Sequence, residues 1–140
     1  MRKYLITILV LLLLGCSESP PNKAEQLIND YLKESLKDPD SYKNEHLGSL
    51  TELSWVGLFI QEDIKKVKNK ELSSDGFAER VTEFRSNVES KGADPDSIIA
   101  YTLEHKYRAK NSFGGYTKKH VKYLIDKDLK NILDVYDLPE

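Results

Sequence analysis

Between Ile98 and Asp126 the chain alternates apolar and polar side chains so regularly that few folds can accommodate it. Ile99, Tyr101, Leu103, His105, Tyr107 and Ala109 form one set, and Thr102, Glu104, Lys106, Arg108 and Lys110 the other. A period of two puts these sets on opposite faces of a strand. Asn111-Ser112-Phe113-Gly114-Gly115 follows as a turn, after which Val121, Tyr123 and Ile125 alternate with Lys118, His120 and Lys122. Pairing through that turn sets Arg108 opposite Lys118, Lys106 opposite His120 and Glu104 opposite Lys122. The apolar sets then share one face as well, so an antiparallel hairpin with one buried side is predicted.

The polar side of this hairpin carries Lys106, Arg108, Lys110, Lys118 and Lys122 against Glu104 alone. Like charges directly opposite each other cost stability. One explanation is an edge kept basic to block edge-to-edge aggregation. The other is an anion site for a phospholipid headgroup, a lipid A phosphate or an acidic partner. On that second reading Asn111, Gly114 and Gly115 belong to the site, the glycines adding backbone amides, although glycines at a hairpin tip commonly serve only to allow positive φ.

At the other end of the chain, Arg2 and Lys3 precede an apolar stretch from Leu5 to Leu14, and Gly15 and Cys16 close it. A spanning helix needs roughly 20 apolar residues, so this stretch is too short to cross a bilayer. A charged start, a short apolar core and a small residue before the break mark a cleaved signal peptide. Leu13-Leu14-Gly15-Cys16 resembles the lipobox of bacterial lipoproteins. The resemblance implies cleavage after Gly15, a diacylglycerol on the Cys16 thiol and acylation of the new amino group. It also implies the periplasmic leaflet of the outer membrane in a host with two membranes, since Ser17 is not the aspartate associated with inner-membrane retention. Two or three acyl chains anchor a protein stably, at about 0.8 kcal/mol per buried methylene.

Cleavage there removes 15 of the 140 residues and two of the 21 basic side chains, leaving 19 basic against 23 acidic ones. A chain with that balance is not a nucleic-acid binder by charge, and any basic function must be local. Cys16 is the only cysteine, so once it carries lipid no disulfide is possible. The core must hold by packing alone, which a chain of this length can do.

Asn22 is placed to cap a first helix with Glu25 three residues on. Ala24, Leu27, Ile28, Tyr31, Leu32 and Leu36 follow at helical spacing, and Pro39 ends the run. Ser41 to Leu50 reads as a short strand with a turn near Gly48. Leu53, Val56, Phe59, Ile60, Ile64 and Val67 suggest a second helix that Gly57 weakens. Phe77, Val81, Phe84 and Val88 give a third after Ser74 and Asp75, with Gly92 as its C-terminal cap. At the C-terminus Leu129, Ile132, Leu133 and Tyr136 fit a helix as well as a third strand after a turn at Asp126 to Asn131, and the strand is chosen. The expected fold class is α+β, with helices packed on a small antiparallel sheet of about three to four strands. The expected organisation is a signal peptide over 1–15, a lipidated cysteine and linker over 16–21, and one domain over 22–140.

Asp-Pro-Asp-Ser occurs twice, at Asp38 to Ser41 and at Asp94 to Ser97. Both copies read as ordinary turns, and neither supplies the alternating oxygen ligands of a calcium loop. Asp38 to Tyr42 and Tyr107 to Tyr116 together resemble small bacterial envelope domains in which a helix leads into an Asp-Pro-x-Ser-aromatic turn. In those domains a later strand carries Tyr-Arg-Ala-Lys-Asn-Ser-Phe-Gly-Gly-Tyr. The resemblance implies an α+β architecture, a strand near the C-terminus and an important loop, and it implies no reaction.

His46, His105 and His120 are the only groups with a natural proton-transfer pKa. None has metal-ligand spacing, and Ser112 lacks the Gly-x-Ser-x-Gly elbow of hydrolases. No cofactor or metal is expected. The expectation is a membrane-anchored, non-enzymatic envelope lipoprotein that binds an unknown protein or anionic envelope component through its basic hairpin. The alternatives are a hydrolase using His105 or His120 with Ser112, and an immunity or exclusion lipoprotein.

Overall fold

The structure is a computed structural model that describes residues 18–139; the expected signal peptide over 1–15 and Cys16 lie outside them. In chain order the elements are α1 (Pro20–Ser35), a 3-10 turn (Pro39–Ser41), β1 (Lys43–Leu47), β2 (Thr51–Ser54), α2 (Trp55–Lys68) and α3 (Ser74–Ser90). Strands β3 (Ile98–Lys110), β4 (Tyr116–Asp126) and β5 (Ile132–Asp137) follow. The fold is α+β, as expected, with three helices and an open antiparallel sheet of five strands rather than three or four. No helix among the described residues is long and apolar enough to cross a membrane.

The hairpin β3–β4 is the spine of the sheet and runs in the register that the alternation predicts, Arg108 facing Lys118 and Glu104 facing Lys122. β5 pairs on the outer side of β4. The other side of β3 is shared by two strands in tandem, β1 against residues 105–108 and β2 against residues 98–102. Gly48 bridges the two by donating its N–H to the Glu104 carbonyl at 2.8 Å, and a Cβ there would meet that oxygen at 3.0 Å. The C-terminal segment is a strand because Asp126 closes the preceding turn. Its carboxylate accepts the Lys130 N–H and the Asn131 amide, and Leu129 takes a positive φ of 56°.

Helix α1 covers the apolar face of the sheet with Ala24, Ile28 and Leu32. They pack in one core with Leu103, Tyr107, Ala109, Val121, Tyr123 and Ile125. The helix starts earlier than a cap at Asn22 predicts, because Pro20 and Pro21 occupy its first positions, where the missing proline N–H costs no bond. Ser19 is the N-terminal flanking residue, and its side chain makes no capping bond. Two residues assigned to the linker therefore belong to the domain.

Leu53 belongs to β2, not to the second helix. Its partner across the ladder is Ala100, an even position on the face opposite α1, and both are buried. Ser54 then turns strand into helix by accepting the Gly57 N–H on its hydroxyl at 3.1 Å, so Gly57 completes the cap instead of weakening the helix. Helices α2 and α3 form a hairpin inserted between β2 and β3. Phe59 stacks on Phe84 at 4.3 Å, and the buried carboxylate of Asp63 accepts from Arg80 at 2.6 and 3.2 Å and from Lys66 at 2.9 Å. Those two cations hold the Asp63 carboxyl below the ordinary carboxylate range. The cap of α3 is Ser73, so Ser74 and Asp75, expected to precede the helix, form its first turn, and Gly92 follows the helix at φ 75° as expected.

Candidate functional site

The hairpin tip is organised by Asn111. Its N–H donates to the Gly115 carbonyl at 2.9 Å and its carbonyl accepts from the Gly114 N–H at 3.0 Å. Its side-chain oxygen accepts from the Phe113 and Gly115 amides at 2.9 and 3.1 Å. This corrects the expectation that Asn111, Gly114 and Gly115 present donors to an anion. All three amides are used inside the turn, and Gly114 is there for its φ of 78°. What the braced loop projects is Phe113, 97% exposed.

Behind the tip the basic side chains share the face opposite α1, but they do not act alike. Lys122 pairs with Glu104 at 3.3 Å, and His120 lies 3.9 Å from the same carboxylate. Arg108 is 3.6 Å from Glu45. Lys106, Lys110 and Lys118 make no ion pair among the described residues. Lys106 and Lys118 line a cleft of about 210 Å³ with Glu45, Lys119 and His120. The like-charge pair Arg108–Lys118 is relieved by Glu45 on one side and by an aromatic ring on the other.

That ring is Tyr116, half-exposed on β4 and the last partner of Lys110 in the ladder. Lys43 Nζ lies 5.2 Å from its centroid, Arg108 Cζ 5.7 Å and Lys110 Nζ 5.9 Å. Each is within range of cation–π attraction, worth about 0.5–1 kcal/mol at an exposed site. Two strands, β1 and β3, thus deliver three cations to one phenol ring on a third. Sequence reasoning omits Lys43 and Tyr116 from the site. Tyr116 could have been found, since the hairpin register puts it opposite Lys110. Lys43 could not, because it arrives through the pairing of β1 with β3, where Lys43 faces Arg108.

The Asp38–Tyr42 and Tyr107–Tyr116 stretches meet in space. Ser41 is buried, and its hydroxyl donates to the Asp38 carbonyl at 2.7 Å while accepting the Lys110 N–H at 2.8 Å. Ser97 makes the same local bond to the Asp94 carbonyl at 2.7 Å, so the repeated Asp-Pro-Asp-Ser is one turn used twice. Only the first copy is tied to the sheet. Tyr42, next to it, packs against His105 and Tyr107 with centroids 5.9 and 5.8 Å apart. The contact helps to seat β1 beside β3, and with it Lys43.

His105 is 1% exposed, with Nε2 3.1 Å from the Tyr42 hydroxyl and Nδ1 unpartnered among the described residues. Burial, reinforced by the charge of His46, lowers its pKa to about 4. His120 is on the opposite face, with Nδ1 3.0 Å from the Pro139 carbonyl. Ser112 is in the tip, seven positions beyond His105, or roughly 20 Å at about 3.3 Å per residue. His120 is about as far, since its ladder partner Lys106 is six positions before Ser112, so the structure does not bring Ser112 to either histidine. No group of three or more His, Cys, Asp or Glu able to hold a metal occurs among the described residues.

Set against known proteins, the chain matches no family model, no curated protein and no solved structure. The site must therefore be read from its own chemistry. It is a solvent-open, cation-rich sheet face with an aromatic ring at its centre and a projecting phenylalanine at its end.

Proposed function

We propose that the protein is a lipid-anchored lipoprotein of the bacterial envelope whose domain is a non-enzymatic module binding an anionic envelope component through the β3–β4 hairpin. The observation that carries this reading is the convergence of Lys43, Arg108 and Lys110 on Tyr116, beside Lys106 and Lys118, in a chain with more acidic than basic residues. An edge kept basic against aggregation needs scattered lysines and no aromatic centre. It also belongs at the rim of a sheet, whereas Lys106 and Arg108 lie on β3 between β1 and β4. Cys16 as the lipid site accounts for the single cysteine and, in a host with two membranes, implies the periplasmic leaflet of the outer membrane.

Two measurements test this. A photo-crosslinker at Ser112 of the full chain in cells should capture an anionic component. Arg108→Glu with Lys118→Glu should reduce that capture about tenfold or more, while the same charge change at Lys65 and Lys68 on α2 should not. Salt should mimic the loss in extracts, as the screening length falls to about 3 Å at 1 M. Capture unchanged by the double reversal ends the basic-face reading. Mass spectrometry of the mature N-terminus should find an acylated Cys16, and an unacylated chain starting elsewhere ends the lipoprotein reading.

A further inference from the structure

Phe113 is the most exposed large apolar side chain among the described residues, at 97%, against 56% for Leu133, the next. It is not on a slack loop, since Asn111 holds the turn with four hydrogen bonds and aims the tip outward. Its neighbours Ser112, Gly114 and Gly115 offer no further apolar surface, and a Cβ at Gly114 would meet nothing within 4 Å. A protein pocket that took this ring would find no apolar flanks to close upon. A bilayer needs none.

The order of groups along the hairpin matches the order of layers at a membrane surface. Phe113 lies three positions beyond the Lys110–Tyr116 pair, so its ring is within about 10 Å of that level at about 3.3 Å per residue. Interfacial apolar groups sit about 5–10 Å into the headgroup and acyl boundary. Tyrosine favours the headgroup level, with its ring towards the chains and its hydroxyl towards water. The cations around Tyr116 then lie where lipid phosphates do, and anionic lipid attracts them. The tether keeps the domain close, since from Cys16 to Pro20 an extended chain covers at most about 15 Å.

We propose that the hairpin docks on the bilayer itself, Phe113 entering the headgroup and acyl boundary while Lys43, Arg108 and Lys110 engage the phosphates of anionic lipids around Tyr116. This rests on the reading above that the basic hairpin takes an anionic envelope component, and it names that component as the surface of the anchoring membrane.

The test uses the full-length lipoprotein reconstituted in vesicles, so that the anchor is the same in every arm and only the hairpin is read. Trp55 is the only tryptophan, so Trp55→Phe with Phe113→Trp places a single reporter at the tip. In phosphatidylcholine vesicles containing phosphatidylglycerol, the emission should shift to the blue and be quenched by lipids brominated on the acyl chain. In phosphatidylcholine alone it should remain open to aqueous acrylamide. Lys43→Glu with Lys110→Glu should lower the inserted-to-free ratio about fivefold or more per cation. A fluorophore on Phe113→Cys, with Trp55 kept, repeats the measurement without the second substitution. Acrylamide access that is equal in both vesicle types, without bromine quenching, overturns membrane insertion. If the Arg108→Glu, Lys118→Glu chain nevertheless loses its crosslinked partner, the anion-binding reading survives and only its assignment to the bilayer falls.

Discussion

Tyr123→Ala is expected to lower the unfolding free energy by about 3–5 kcal/mol, the range for removing a large aromatic side chain from a core, whereas Tyr123→Phe should leave it unchanged or raise it. The two substitutions separate what the ring does from what the hydroxyl does. Tyr123 is fully buried, meets Tyr31 edge-on at 6.0 Å and lies in the core between α1 and the sheet. Its hydroxyl, by contrast, has no hydrogen-bond partner among the described residues. Burial, with Tyr107 and Tyr31 close by, pushes its pKa well above the ordinary tyrosine value. A buried hydroxyl left unpaired costs about 1–3 kcal/mol of desolvation, so deleting it removes a burden rather than a bond. Urea denaturation of the two variants measures both effects. A Tyr123→Phe chain clearly less stable than the parent would mean that the hydroxyl is bonded after all.

Acid should destabilise the domain in a window that belongs to His105. In the unfolded chain this imidazole takes its proton near pH 6.5, but in the folded protein burial holds its pKa at about 4. Between these values the unfolded state binds more protons, so stability falls as the pH falls from about 6.5 to about 4 and levels off below. At about 1.4 kcal/mol per pH unit the loss sums to about 3 kcal/mol. The groups around the ring cannot offset it, since Tyr42 and Tyr107 are neutral and His46 adds positive charge. Asp63 and Asp96, whose carboxyls Arg80 and Arg85 hold below the ordinary range, lose their contribution only at lower pH, as they protonate. The two windows are therefore separable. His105→Gln keeps an acceptor for the Tyr42 hydroxyl and should abolish the slope between pH 6.5 and 4 in denaturation series. A slope that persists in this variant would place the titrating group elsewhere.

Both effects arise on the covered face, and the proposed site is on the open one, so stability and binding should respond to different substitutions. Tyr42 and Ser41 are the exception. They belong to the stretch that seats β1, and β1 brings Lys43 to Tyr116. Damage to that turn should weaken the fold and dissolve the cation cluster together.

Much of this was legible in the chain. The period of two over 98–110 and 118–125 set the hairpin, its register and the sidedness of its charges, because strand alternation and a five-residue turn are local matters. Helical spacing located α1 and α3 for the same reason. One error came at Leu53, where an apolar residue in phase with a helix belongs to a strand whose partner lies 47 positions away. Another came at the tip, where composition shows that glycine amides exist but not that Asn111 has already claimed them, Gly115 through its side chain and Gly114 through its carbonyl.

By itself, then, the sequence determined which residues share a face, where the turns fall and that one face is basic, since each depends on neighbours a few residues apart. Tertiary structure alone decided which of those charges stay free. Pairing β1 with β3 brings Glu45 to Arg108 and Lys43 to Tyr116. Whether a charge is free depends on distances of a few ångströms between residues far apart in the chain, and only the folded sheet sets those.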